Sequence, residues 1–497
     1  MSDIRRRWRE DANGPMTAET AVLTRSASTD STRAVTVGAY ALLGVTLCWS
    51  RLVGLTHSYC CDEIRTVSMY VDRGPRAILA GPYIPNNHEL FSLLGWLTFS
   101  LGGPSEVALR LWSVLPFLLG VALTTAWLHR RAGALSGIAF LFLATASPLL
   151  LDISRMGRGY GLAFLAMSLL LVGALEAART GSWWAIAAVS VGGVVGSLTL
   201  PHFALTYIAT CAVLLAKRDL RARLSIPFAA TIAVVIAWYA PHVDDIPKSS
   251  LAEYGQQIDS RWLATAPIDQ TLVPALTQLD DAFVRPNLQS LLFSIVLVAV
   301  AGSSPLLRTR LSGLVLCVPV VITVVAFWLT GTFIVPRFFS FLLVPLFMLL
   351  ATGSAAVLTR LRSRPAPVRT AMVVAIFGVL LVQLVPLVID VSRMPRDATG
   401  EAGTTIRRLV PASTPVVAHV PYPDDISYFL GRPVEPAWTA AEAGDVCRRA
   451  RTAVYVDQPY LVPEARVPCV RRAGTRHYYF RQYTRGERID VWVIPPA

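Results

Sequence analysis

Two adjacent carboxylates, Asp62 and Glu63, follow Cys60 and Cys61. They head a stretch in which Ile64, Val67 and Val71 share one helical face while Arg65, Asp72 and Arg73 lie off it. Acids at a helix amino terminus interact favourably with the helix dipole, by about 0.3 to 1 kcal/mol, so capping alone accounts for the pair. The functional alternative is that a carboxylate held close to the lipid surface acts as a general base that removes the proton of an acceptor hydroxyl, though on these two residues alone capping is the commoner role. A second group with chemical capacity is the run Asp152-Ile153-Ser154-Arg155-Met156-Gly157-Arg158-Gly159-Tyr160. Arg155 and Arg158 offer forked donors that never lose their charge, which suits a phosphate, with anchoring to lipid headgroups as the competing use. His202 follows Pro201 and Arg337 follows Pro336, each opening an apolar segment. Both read as interfacial anchors, with a headgroup contact as the rarer alternative. No CxxC, HExxH or glycine-rich phosphate loop is placed to support a zinc enzyme, a Rossmann dehydrogenase or a P-loop ATPase.

The elements that must position these residues are membrane helices. Of the 497 residues 54% are hydrophobic and 15% charged, with a mean hydropathy of +0.52, against about 25% charged in a soluble protein. Eleven apolar spans are predicted: Ala34 to Leu55, Val107 to Leu128, Ala134 to Leu151, Tyr160 to Ala178, Trp183 to Leu200, His202 to Ala216, Ser225 to Val243, Leu288 to Gly302, Gly313 to Leu329, Arg337 to Leu358 and Thr370 to Ile389. The first is too long for the roughly 7 to 15-residue core of a cleaved signal and reads as a retained anchor. His88 to Gly102 is apolar but covers only about 22 Å as a helix, and is expected to lie on the outer face or re-enter there. With the amino terminus inside, the inner segments hold 19 Lys or Arg and the three longer outer loops, 56–106, 152–159 and 244–287, hold 8. The net charge of +13 is thus a matter of topology and does not call for a nucleic-acid partner. Ionisable groups are scarce within the spans and gather in the outer loops. That distribution favours a reaction at the outer surface over a transport path through the bilayer, as a lipid-linked saccharide flippase would need.

Charges and prolines return after Val391. Strand-like runs at Val416 to Val420, Thr452 to Asp457, Tyr478 to Tyr483 and Ile489 to Ile494, with helical stretches at Asp424 to Leu430 and Ala440 to Ala450, predict a small α/β domain. The expected organisation is a polar cytoplasmic segment 1–33, a transmembrane domain 34–390 and an extracytoplasmic domain 391–497. Cys447 and Cys469 of that domain are either bonded or free, whereas Cys48, Cys211 and Cys317 lie in apolar spans and read as core packing.

In chain order, these residues resemble the GT-C membrane glycosyltransferases, in the branch related to protein O-mannosyltransferases and the aminoarabinose transferase of lipid A. The resemblance rests on Asp62 and Glu63 after the first span, on Asn86-Asn87-His88-Glu89-Leu90-Phe91, and on Glu106-Val107-Ala108-Leu109-Arg110-Leu111-Trp112. It continues through Ser154 to Tyr160, His202-Phe203 and Val335-Pro336-Arg337-Phe338, and covers roughly residues 34 to 390. It implies a polytopic α-helical fold of about eleven spans. The implied activity is that of a hexosyl- or pentosyltransferase of the plasma membrane, moving a sugar from a polyprenyl-phosphate donor to a glycan, lipid or protein acceptor on the extracytoplasmic side, usually with inversion. By similarity Asp62 is the base and Glu63 positions the acceptor; Arg155, Arg158 and Arg337 meet the donor phosphate, and Asn87, His88, Glu89, Tyr160 and His202 contact substrate. The family's usual proline is absent between Asn86 and Glu89, and Glu89 adds an acid. Some members bind a divalent metal and others do not; the oxygen ligands on offer here are Asp62, Glu63, Glu89 and Asp152. A noncatalytic envelope-assembly protein, the remaining alternative, would be indifferent to loss of Asp62.

Overall fold

The computed structural model describes residues 30–56, 59, 62–81, 87–244, 298–329, 336–361, 365, 398–419, 423–436, 442, 445, 453–457, 473–481 and 488–495. The expected span Thr370 to Ile389, most of Leu288 to Gly302 and of Ala440 to Ala450, and Asn86, Cys447 and Cys469 lie outside the described residues.

The first half of the chain forms helices α1 (Asp30–Leu52), α2 (Asp62–Thr66, continued by a π turn over Val67–Val71), α3 (Pro75–Ala80), α4 (Glu89–Gly102), α5 (Glu106–Ala132), α6 (Ala134–Ala146) and α7 (Pro148–Arg155). There follow α8 (Tyr160–Thr180), α9 (Trp183–Thr199), α10 (Phe203–Leu215), α11 (Arg218–Tyr239), α12 (Arg310–Leu329) and α13 (Leu343–Leu361), with short 3-10 turns at Ala240–His242, Pro305–Leu307 and Pro336–Leu342. Helix boundaries follow local chemistry. α5 starts where the Ser105 hydroxyl accepts from the Ala108 amide, and ends with His129, Arg130 and Arg131 before Gly133 at φ 89°. The run Ala134 to Leu151, one span in the sequence reading, is broken by 70° between α6 and α7. Ser147 caps the new helix and Pro148 occupies its first turn, where a missing amide hydrogen costs nothing.

Among the described residues, five helices are long and apolar enough to cross a membrane: Ala34–Leu52, Glu106–Ala132, Tyr160–Thr180, Arg218–His242 and Phe339–Arg360, with a sixth if the bent α6–α7 pair is one span. The apolar runs Trp183 to Leu200 and His202 to Ala216 are helices of 17 and 13 residues. α8 is the axis of the bundle, packed between α5 and α9, and its Ala163, Phe164, Ala166, Met167, Leu170 and Leu171 are buried in the main core. Cys211 is in that core, whereas Cys48 and Cys317 are exposed on the bundle surface, contrary to the packing role expected of all three. Apolar residues there need no interior partner once lipid is the solvent.

The carboxyl-terminal part is an α/β unit, as the alternating runs predict. It contains α14 (Ala398–Leu409), α15 (Pro423–Leu430) and strands β1 (Val416–His419), β2 (Glu435–Pro436), β3 (Ala453–Asp457), β4 (Arg476–Arg481) and β5 (Arg488–Ile494). The strand order is β2-β1-β3-β5-β4. β1 runs parallel to β2 and β3, while β5 pairs antiparallel with β3 and β4. Val416, Ala418, Val454, Val456, Ile489 and Val491 make one sheet face, which packs on Ala402, Ile406, Ile426 and Leu430 of the two helices. α15 also reaches the helical bundle, where Tyr428 and Phe429 pack against a cluster containing Tyr59, Ile64, Val67, Phe91 and Leu109. The carboxyl-terminal unit thereby rests on α2, the helix that begins with Asp62.

Candidate active site

The site is assembled around the turn that joins α7 to α8. Helix α7 ends at Arg155 because Met156 is extended, at φ −67° and ψ 138°. The glycines on either side of Arg158 make room for Glu63 and His88. A Cβ on Gly157 would lie 2.9 Å from Glu63 Oε1, and one on Gly159 would lie 2.7 Å from His88 Nδ1, both closer than side-chain carbons approach such atoms.

Arg158 is completely buried. Its Nη1 lies 3.3 Å from Asp62 Oδ2 and its Nη2 lies 2.9 Å from His88 Nε2. The Gly159 amide donates to His88 Nδ1 over 2.9 Å. The Gly159 amide and the Arg158 guanidinium can both only donate, and a neutral imidazole accepts at a single nitrogen, so the tautomer of His88 decides which of the two contacts is the hydrogen bond. Tyr160 lies edge-on to the His88 ring at 4.9 Å between centroids, and the Arg158 guanidinium sits 5.7 Å from the Tyr160 ring centre. Asp62, His88, Arg158 and Tyr160, from three separate stretches of the chain, thus form one cluster in which the Asp62 side chain alone keeps appreciable solvent exposure, 14%.

Glu63 faces elsewhere. Consecutive residues on a helix point about 100° apart, so the two acids cannot share a partner. Glu63 Oε1 accepts from Arg110 Nε at 2.9 Å and Oε2 from Arg110 Nη2 at 2.8 Å, and the Gly157 amide also donates to Oε1. Arg110 Nη1 in turn donates to the Leu55 carbonyl at 3.0 Å, and its guanidinium lies 5.6 Å from the Tyr59 ring centre. Glu63 is a tether that ties α2 to α5 and to the Gly157 turn, with both oxygens engaged.

The remaining predicted residues separate in the same way. Asn87 is buried, donating to the Ile78 carbonyl at 3.1 Å and accepting from Ser92 Oγ at 3.0 Å, so it pins its own loop. Glu89 is fully buried at the start of α4, a helix too short to span. Its Oε2 accepts from the Trp238 indole and its Oε1 lies 3.1 Å from His242 Nε2. Burial pushes the Glu89 carboxyl up to about 8, with the Trp238 hydrogen bond pulling the other way. Trp238 and His242 were not foreseen, because no local pattern links residues about 150 positions apart. His202 stacks obliquely on Phe339 and Phe341, at 5.3 and 5.8 Å. Arg337 belongs to the turn Pro336–Leu342 beside them; its side chain lies outside the described residues.

The two arginines read as a phosphate pair are split. An i, i+3 spacing brings side chains together only within a helix, and here the helix stops at Arg155. Arg155 instead donates through Nε to the Leu151 carbonyl at 3.2 Å and lies 3.3 Å from Asp152 Oδ1 through Nη2. Among the described residues no three His, Cys, Asp or Glu side chains converge as a metal set.

No family model matches the sequence, and no curated protein does. Solved structures do. ArnT from Cupriavidus metallidurans in the apo state is 15% identical with a TM-score of 0.54, over 93% of this chain and 98% of that one. The same protein bound to undecaprenyl phosphate gives 15% and 0.51, over 92% and 97%. The Archaeoglobus fulgidus oligosaccharyltransferase in complex with Zn and sulfate gives 14% and 0.52, over 90% of this chain and 72% of that one. The chain therefore shares the fold of these proteins.

Proposed function

We propose, from the fold this chain shares with ArnT, that it is a membrane glycosyltransferase taking a sugar from a polyprenyl-phosphate donor to an acceptor hydroxyl at the extracytoplasmic surface, with inversion. The observation that carries this reading is the Asp62–Arg158–His88 cluster, a partly exposed carboxylate fixed by a fully buried guanidinium. Asp62 is the general base. The acceptor oxygen attacks the anomeric carbon as its proton passes to the Asp62 carboxylate; the bond from that carbon to the donor phosphate oxygen breaks, and its electron pair leaves with the polyprenyl phosphate. Arg158, 3.3 Å from Asp62 Oδ2, orients the carboxylate, and Arg155 meets the departing phosphate, where an added negative charge is best stabilised by a donor already in place. Glu63 serves by holding the helix that presents Asp62.

Radiolabelled polyprenyl-phosphate sugars offered to the purified protein with a membrane extract test the reading. Transfer of label that requires both protein and extract supports it, and absence of transfer from every hexose and pentose donor overturns it.

A further inference from the structure

One end of the bundle takes no part in that chemistry. α8 begins beside Asp62 with Tyr160 and runs 21 residues to Thr180, about 30 Å at 1.5 Å per residue, which is the thickness of a bilayer core. Its far end therefore lies at the opposite membrane surface. There a groove of about 380 Å³ opens between α5, α8 and α9, lined by Leu123, Leu169, Val172, Glu176, Thr180 and Ala188. The α8 residues among these fall three or four positions apart and make one stripe on the helix. The stripe is about 16 Å long, close to the depth of one leaflet, and its character changes along its length, from leucine and valine at mid-helix to glutamate and threonine at the end. Trp184 lines the same end, and both it and Trp183 are exposed, as tryptophan is at a membrane interface.

The polar end is cationic. Glu176 accepts from the Trp127 indole at 2.9 Å and from Arg131 through Nε at 2.7 Å and Nη2 at 3.1 Å. Arg179 meets the same carboxylate through Nε at 3.3 Å and Nη2 at 3.1 Å. Lys217 donates to the Ala178 carbonyl at 2.7 Å and Arg223 to the Gly181 carbonyl at 2.8 Å. The three turns that meet here, 129–133, 176–182 and 217–224, hold seven Lys or Arg and two acids. A guanidinium has five N–H donors, of which Glu176 takes those of Nε and Nη2. The Arg131 and Arg179 side chains are 38% and 50% exposed, so their outer donors are within reach of a headgroup.

An apolar groove in a bilayer takes up an acyl chain whatever the headgroup, and the charge at its mouth selects the headgroup. We propose that this groove binds an anionic phospholipid of the leaflet opposite Asp62, with one acyl chain along the α8 stripe and the phosphate against Arg131 and Arg179. Glu176 holds the two guanidiniums in place and leaves the trio one positive charge in excess. A headgroup with one net negative charge matches that excess, whereas a zwitterionic headgroup adds a cation to it. The site stands about 30 Å from Asp62, the length of α8, and does not depend on the sugar-transfer reading.

Native mass spectrometry of the full-length protein in a nonionic detergent tests the site, with phosphatidylglycerol and phosphatidylcholine of the same acyl chains as probes. One phosphatidylglycerol should be held roughly fivefold or more tightly than phosphatidylcholine, the effect of one surface cation. Ala188→Phe, which fills the groove, should weaken both lipids. Arg179→Gln, at a half-exposed side chain, leaves Arg131 and Glu176 to neutralise each other and should reduce the preference roughly fivefold. Glu176→Gln separates a lipid site from a purely structural ion pair, because it should melt at a lower temperature yet hold phosphatidylglycerol more tightly. Equal retention of both lipids by the wild type overturns the site, as does a preference unchanged in Arg179→Gln or a weaker hold on phosphatidylglycerol in Glu176→Gln. A dimer that retains no lipid also overturns it, since a second copy would then fill the groove.

Discussion

Replacing Glu63 by Gln separates the two adjacent carboxylates more sharply than any other change of similar size. Gln keeps the volume and one oxygen for the Gly157 amide, but it removes the charge that meets Arg110 through two bonds of 2.9 and 2.8 Å. The pair is 6% and 4% exposed, so solvent does little to screen what is lost, and a buried guanidinium deprived of its partner costs about 3 to 5 kcal/mol. The retained contacts of Arg110 with the Leu55 carbonyl and the Tyr59 ring place the expected destabilisation at about 3 kcal/mol, the lower end of that range. The assay is unfolding of the purified protein with Glu63→Gln, Arg110→Met and the double variant. Each single change should destabilise, and the double should cost less than their sum, because the orphaned partner is gone. Turnover of the folded Glu63→Gln protein should fall less than that of Asp62→Asn. Additive unfolding effects, or unchanged stability with activity abolished, would refute the tether and return Glu63 to the chemistry.

Three other outcomes are expected. The folded-state value of Glu89 is raised from 4.5 to about 8, so the native state binds a proton that the unfolded chain has released; stability from this group is greatest below 4.5 and is lost as pH rises through about 8, and Glu89→Gln, which mimics the protonated form, should flatten melting temperature against pH across that window. Tyr428, whose ring lies 6.4 Å from that of Tyr59, couples the carboxyl-terminal unit to the Asp62 helix. Tyr428→Ala should lower turnover more than it changes donor affinity while Tyr428→Phe stays near wild type, and equal loss in both would point to the hydroxyl instead of the ring. Single-Cys labels beside Asp62 and Ala440 should react only from outside the cell and those beside Arg221 and Arg364 only from the cytoplasm, as the distribution of basic residues implies; cytoplasmic labelling beside Asp62 would move the reaction to the other membrane face.

Periodicity and composition made elements legible where the pattern is local. β3 and β5 alternate Val454, Val456 and Val491, Val493 toward one face, and both lie where the alternation places them. The Ser147–Pro148 break was less legible, because an unbroken apolar run conceals a change of direction that Ser and Pro impose only on the backbone. Of the site, Asp62, His88 and Arg158 could each be singled out as residues, but their meeting joins positions 62, 88 and 158, and spacing carries no trace of it. Arg155 and Arg158 face different partners for a related reason: helical spacing has meaning only while the helix continues, and it ends at Arg155.

The central claim, that Asp62 is the base of a sugar transfer, is tested most directly by Asp62→Asn with transfer and donor affinity measured in the same preparation. Asn keeps the shape and still caps a helix, but it cannot take a proton. Transfer should fall roughly 100-fold or more with donor affinity little changed. Normal transfer by Asp62→Asn would contradict the account and leave Asp62 as a helix cap.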